Sequence, residues 1–281
     1  MHAIATTTWN TADLVAPFLD HHLRAGFDCV LVMDFDSTDG TRDVLSSQKY
    51  QGVVKRIPYP GIAGLDSSAI LLEVARQQLA SDARCLFCDP DEFLNIPQDT
   101  ALKDLTDHAA DALIVPRFNM TGRQSWAAGG QSDPLHHLNL RILQRTKRQL
   151  PNDMNADVLT PPWIFTFIKG KVFLRIAGTT AIGSGDHRAT VKSGTHNLAP
   201  EQAYLQHRPM RTFAEFERKI GMAEIDFAAN PDLDPLYGWQ LRRWIRLAAQ
   251  DRLHEEYLQQ FIPDADVPGL AASGIIAVDD G

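Results

Sequence analysis

Hydrophobic and polar positions follow one rhythm up to about residue 112 and another beyond it. Residues 3–8, AIATTT, form a short β-prone run. Residues 11–26 carry Leu14, Val15, Phe18, Leu19 and Leu23 at helical spacing and stop at Gly26. Residues 29–33, CVLVM, are apolar throughout, the pattern of a strand buried on both faces. The stretch STDGTRDVLSSQ (37–48) opens with capping residues and becomes helical. Residues 53–59 predict a strand, 67–80 a helix and 84–88, RCLFC, another strand. This β-α-β-α-β-α-β order predicts an α/β fold, a mostly parallel sheet flanked by helices on both faces.

Past residue 112 the pattern is less regular. ALIVPRFNM (112–120) is strand-like, and LRIL and WIFTFIKGKVFLRI predict further strands. Residues 179–200 are rich in polar groups and predict a loop. Residues 212–228 and 235–261 predict amphipathic helices, with Trp239 and Trp244 turned inward. The last dozen residues predict a frayed tail.

Composition narrows the function classes. A chain of 281 residues suits one large domain or two intimate ones. A net charge of −8 argues against a broad nucleic-acid surface. No apolar stretch is long enough to predict a membrane span. The opening MHAIATTTWN has no basic segment followed by an apolar core, so no secretory signal is expected. Cys85 and Cys88 form a lone C-x-x-C without the second pair of a zinc ribbon. They predict buried thiols of a reducing compartment, and the expected location is cytoplasmic.

Chemistry gathers where the predicted strands end. In open parallel sheets, ligands bind beyond the carboxyl ends of the strands. The first strand ends in Thr8-Trp9-Asn10, the second in Asp34-Phe35-Asp36, and RCLFC in Asp89-Pro90-Asp91. Asp89 and Asp91, two residues apart, suit one hard divalent cation, which would relieve their mutual repulsion. Glu92 would orient Asp91 or cap a following helix. A capped turn explains the same residues without a ligand. The DFDSTDGT segment fails the calcium-loop register, since Gly40 falls one place late. Asp34, Asp36 and Thr38 match the Asp-x-Asp-x-Thr signature of haloacid-dehalogenase-type phosphohydrolases. In that reading Asp34 is the nucleophile and Asp36 the acid.

Taken in order, the motifs resemble a family-2-type glycosyltransferase of the GT-A fold, in the branch with an Asp-x-Asp-Glu-Phe signature, also described as family-92-like. The matching residues are Asn10, Leu14, His21 or His22, Gly26 and Asp28, then Asp34, Ser37, Asp39, Gly40 and Thr41. Asp89, Asp91, Glu92 and Phe93 follow, with RFNMTG (117–122), Asp186-His187 and HRPMRTFAEFERK (207–219) farther on. The sequence departs from the branch at Trp9 and Thr11, which stand beside Asn10 in place of a basic and an acidic residue, and at Arg208, in place of a Tyr.

The resemblance implies a metal-dependent enzyme that moves a sugar from a nucleotide-diphosphate donor to a hydroxyl of a glycan, lipid or small-molecule acceptor. It implies nucleotide binding by Thr7, Trp9, Asn10, Asp34 and Asp36. It implies Mn²⁺ or Mg²⁺ held by Asp89, Asp91 and a late histidine, His207, with His187 competing. Arg208, Arg211 and Lys219 would pair with the diphosphate. Asp186 would be the base, with Asp153 and Asp157 competing. The implied division is a nucleotide-sugar half at 1–115, an acceptor half at 116–228 and a helical extension and tail at 229–281. A non-catalytic nucleotide-sugar binder is the alternative of a different class.

Overall fold

The computed structural model describes residues 1–59, 67–129, 134–150 and 152–279. Its strands, in chain order, are β1 (His2–Thr8), β2 (Cys29–Asp34), β3 (Val54–Pro58), β4 (Arg84–Phe87), β5 (Glu92–Asn95), β6 (Ala112–Val115), β7 (Arg117–Thr121), β8 (Leu140–Ile142), β9 (Lys171–Arg175), β10 (Thr179–Ile182), β11 (Ala189–Val191), β12 (Thr195–Asn197), β13 (Tyr204–His207) and β14 (Ile276–Val278). The first helices are α1 (Ala12–Arg24), α2 (Thr41–Leu45) and α3 (Ser67–Gln78). The chain forms two compact units, one of residues 1–117 and 169–206, the other of 118–168 and 207–281. Residues 229–281, set apart in the sequence reading, thus group with 118–168 and 207–228.

The first unit is built on a seven-stranded sheet in the order β12-β6-β9-β4-β1-β2-β3. Strands β3, β2, β1 and β4 run parallel, as the alternating rhythm predicts. All six residues of β2 are buried, which accounts for an apolar run without alternation. One face of the sheet packs Ala3, Ala5, Leu31, Met33, Cys85 and Phe87 against Leu71, Leu72 and Ala75 of α3. On the other face Phe27 stacks on Phe173, and Phe27 in turn meets His22 of α1.

Strand β9 runs antiparallel between β4 and β6, with Leu86 opposite Phe173 and Val115 opposite Lys171. Its first residue, Lys171, therefore lies at the edge where the parallel strands finish. Gly170 is required there, because a Cβ would stand 2.4 Å from the Val115 carbonyl oxygen.

Several predicted elements are corrected. ALIVPRFNM is two strands, divided at Pro116, which lacks the N–H that a continued ladder needs. Of WIFTFIKGKVFLRI, only Lys171–Arg175 is a strand, while Trp163–Phe165 is a 3-10 turn. Residues 179–200 are not a loop throughout: β10 and β11 form an antiparallel pair, and β12 adds parallel to β6. The tail carries a helix, Val267–Ala272, and β14, whose Ile276 is buried opposite Ile142 of β8. Glu92 opens the strand β5 rather than capping a helix.

The second unit has its own core, in which Trp244 meets Trp163 and Phe216 edge to face. Trp239 is partly buried against the same cluster. The helix Phe213–Ala229 begins with a capping box between Thr212 and Glu215. Buried Arg243 pairs with buried Glu256 at 2.7 Å, and Glu256 also accepts from the Trp244 indole at 3.1 Å. Among the described residues, no helix is long and apolar enough to cross a membrane.

Candidate active site

Two loops meet at the carboxyl ends of β1 and β2 and are tied to one another by hydrogen bonds. The Asn10 N–H donates to Ser37 Oγ at 2.9 Å, and Asn10 Oδ1 accepts from the Thr38 N–H at 2.7 Å. Asp39 accepts from the Ala12 N–H and from the Thr41 N–H, each at 3.0 Å. One carboxylate therefore serves the first residues of both α1 and α2, where backbone donors have no partner within the helix. Asn10 and Asp36 take left-handed backbone angles, with φ of 50° and 59°. Trp9 packs against the core cluster that contains Leu71, Leu72 and Ala75 of α3.

Asp34 and Asp36 face different surroundings. The Asp34 side chain has no exposure: one oxygen accepts from the Ser37 N–H at 3.1 Å and the other meets Arg56 at 2.7 Å. Burial alone would raise its pKa; the bonds from Ser37 and Arg56 outweigh burial and hold it below the usual carboxylate range. A carboxylate enclosed and held through both oxygens is poorly placed as a nucleophile, which argues against the phosphohydrolase reading. Asp36 is the outward member, its side chain 70% exposed and ion-paired with Arg42.

At the end of β4 the chain turns through Asp89-Pro90-Asp91 into β5. The Glu92 N–H donates to the Asp89 carbonyl at 3.0 Å, and the Asp89 N–H donates back to Glu92 Oε2 at 3.1 Å. Asp91 is part-buried and Asp89 is 45% exposed at its side chain. Two histidines of α1 secure the strand that follows. His21 Nε2 donates to the Leu94 carbonyl at 2.7 Å, and His22 Nε2 accepts from the Leu94 N–H at 3.2 Å. His22 Nδ1 donates to the Phe18 carbonyl at 2.9 Å. Burial, with His21 beside it, holds the His22 pKa well below the ordinary histidine value.

Behind this turn lies a buried charge cluster. Lys171 Nζ is 2.8 Å from Asp89, 3.7 Å from Asp186 and 3.8 Å from Glu92, and it donates to the Gly185 carbonyl at 3.1 Å. Arg117 pairs with Glu92 and donates to the Lys169 carbonyl at 3.0 Å. Burial pushes the Glu92 carboxyl up to about 7, against the opposing pull of Lys171 and Arg117. Burial also raises Asp186, with Lys171 opposing. For Lys171, burial works against the ammonium, but Asp89 and Glu92 prevail and hold its pKa above the usual lysine range. His187 donates from Nδ1 to the Gly170 carbonyl at 2.9 Å, and burial, with Arg117 and Lys171, lowers it to about 4.

Asp91 and Glu92 bring carboxylate oxygens within 4.8 Å of one another, the kind of donor pair a hard divalent cation takes. Asp89, Asp91, Glu92 and Asp186 stand against Lys171 and Arg117, a formal excess of two negative charges. Asp186 Oδ1 is buried with no hydrogen-bond partner among the described residues. Carboxylate oxygens are the donors that Mg²⁺ and Mn²⁺ prefer.

Within the first unit, the structure thus brings Thr7, Trp9, Asn10, Asp34, Asp36, Asp89, Asp91 and Asp186 to one edge of the sheet. His187 also lies in the first unit, while His207, Arg208, Arg211, Lys219, Asp153 and Asp157 belong to the second. His207 is buried and its Nδ1 bonds Asn119 Oδ1 at 2.7 Å. Arg208 donates to the Leu135 carbonyl, and Arg211 pairs with Glu215 at 3.1 Å. Lys219 lies on the exposed face of the helix Phe213–Ala229. Asp153 accepts from the Gln149 N–H at 2.6 Å, and Asp157 pairs with Arg246 at 2.8 Å. The sequence reading missed Lys171 and the Arg117–Glu92 pair. The one available signal was a charged residue opening the strand-like run KVFLRI.

No family model matches the sequence, and no curated protein matches it. Among solved structures, S. aureus TarS 1-349 is similar at 17% identity and a TM-score of 0.43, over 96% of this chain and 74% of that one. Its complex with UDP-GlcNAc is similar at 16% identity and a TM-score of 0.43, over 96% and 75%. The mannosyltransferase PcManGT from Pyrobaculum calidifontis, in complex with GDP-Man and Mn²⁺, is similar at 16% identity and a TM-score of 0.40, over 97% and 75%. Likeness at this level assigns no role to any residue.

Proposed function

We propose that the protein is a metal-dependent glycosyltransferase that uses a nucleotide-diphosphate sugar. The observation that carries the reading is the carboxylate excess at the finishing edge of β4, beside the loops that close β1 and β2. Thr7, Trp9 and Asn10 shape the nucleoside side. Asp34 is the buried strut of that rim, and Asp36 its outward acceptor for a base or ribose edge. Asp89 and Asp91 hold Mn²⁺ or Mg²⁺. A cation bound there offsets the charge that builds on the departing diphosphate.

Asp186 is the base. As the bond between sugar carbon and phosphate oxygen breaks and the acceptor oxygen bonds that carbon, the acceptor proton passes to Asp186. Its upward pKa shift moves the carboxylate toward the range where proton transfer at neutral pH is effective.

Incubation with Mn²⁺ and a panel of UDP-, GDP- and CMP-linked sugars tests the reading. Slow donor hydrolysis is expected, lost on chelation and lost in the Asp91→Ala variant. Donor binding in calorimetry with no turnover would instead make the protein a nucleotide-sugar binder. Phosphate release from simple monoesters, with nucleotide sugars untouched, would sink the transferase reading.

A further inference from the structure

Lys171 is a buried lysine in a position the transferase reading leaves without a role. Its side chain is 1% exposed. An ammonium is seldom placed so deep unless something there needs its charge. Its nearest partners are the candidate cation ligand Asp89 and the Gly185 carbonyl, with Asp186 and Glu92 in a second ring. The loop it grips is short and sharply turned, for Gly185 and Asp186 are both left-handed, with φ of 73° and 59°. The residue before it grips the same loop, since the Gly170 carbonyl receives His187. Gly170 and Lys171 therefore hold the 185–187 segment at three points, and one of these also reaches Asp89.

We propose that Lys171 is a positioning residue for the cation seat and the base. Its ammonium fixes Asp186 relative to Asp89, and it is a resident positive charge that any cation in the seat must lie beside. The inference rests on the transferase reading for the name of the base. Its electrostatic half concerns the protein and the metal alone. Lys171 removes one unit of negative charge from a cluster that would otherwise hold an excess of three. A cation bound among these carboxylates must share them with a fixed ammonium a few ångströms away, which weakens its binding.

The consequence has an unusual sign. Lys171→Met should bind Mn²⁺ more tightly than the wild type, by about ten-fold or more, and should turn over donor more slowly. A merely structural lysine would move both in the same direction, because a loosened site binds metal less well. Mn²⁺ binding is read on the protein without donor, by calorimetry and by the loss of the free-ion paramagnetic signal. Lys171→Met/Asp186→Asn removes one charge of each sign, so its Mn²⁺ affinity should return toward the wild-type value.

Should Lys171→Met not fold, Lys171→Arg serves. It keeps the charge and alters the reach, so Mn²⁺ affinity is expected to stay within about two-fold while donor turnover falls. Weaker Mn²⁺ binding in folded Lys171→Met, a changed affinity in Lys171→Arg, or no Mn²⁺ binding by wild type and variant alike would overturn the proposal. If the wild type binds Mn²⁺ and Lys171→Met binds it more tightly, but no sugar nucleotide is consumed, the positioning of Asp89 stands and the transferase reading fails.

Discussion

His187 carries a proton-linked consequence at the scale of one residue. Its Nδ1–H is committed to the Gly170 carbonyl, and its pKa falls from the ordinary value near 6.5 to about 4. The unfolded chain therefore binds a proton at His187 between pH 6.5 and 4, while the folded chain does not. Stability from this group is complete above pH 6.5 and is lost as the pH falls toward 4. His187→Asn retains a donor for Gly170 and has no such proton. Between pH 7.5 and pH 5, the wild type should lose about 2 kcal/mol more stability than this variant. Urea unfolding in chelator at the two pH values checks it, and equal losses would show a charged imidazole in the fold. His187 and Asp186 could be singled out from the sequence because they form a polar pair in a Gly-rich stretch. Lys171 could not, because a lysine opening an apolar run reads as an exposed strand end. What turned it inward is the pairing of β9 between β4 and β6, which no local pattern encodes.

At the scale of elements, the two histidines of α1 explain how the acidic turn is held. His21 and His22 take the carbonyl and the N–H of one residue, Leu94, so the helix clasps β5 just past Asp89-Pro90-Asp91. His22→Leu fills similar space but leaves the Leu94 N–H without an acceptor in a fully buried place. The expected cost is about 2 kcal/mol, seen as a lower urea midpoint, together with faster amide exchange at Leu94. An unchanged exchange rate would mean that the strand is secured elsewhere. The parallel strands were readable because burial on both faces leaves an uninterrupted apolar run, as in CVLVM. Strands β10, β11 and β12 were not, since they are three or four residues long and several of their side chains face solvent. Such strands are defined by their partners rather than by their own pattern.

For the whole molecule, the division into two units has its own chemical signature. All three cysteines lie in the first unit, where Cys29 is 8%, Cys85 0% and Cys88 1% exposed. Burial raises the pKa of each of these thiols, so the nucleophilic thiolate is scarce as well as shielded. Four of the five tryptophans, Trp126, Trp163, Trp239 and Trp244, lie in the second unit. During denaturation, the rate of thiol alkylation should report the opening of the first unit, and indole emission should report mainly the second. Coincident midpoints would make the chain one cooperative body, and separate midpoints would give each unit its own stability. The natural sequence thus carries two reporters, one chemical and one optical, and its unfolding can be timed unit by unit with no residue introduced for the purpose.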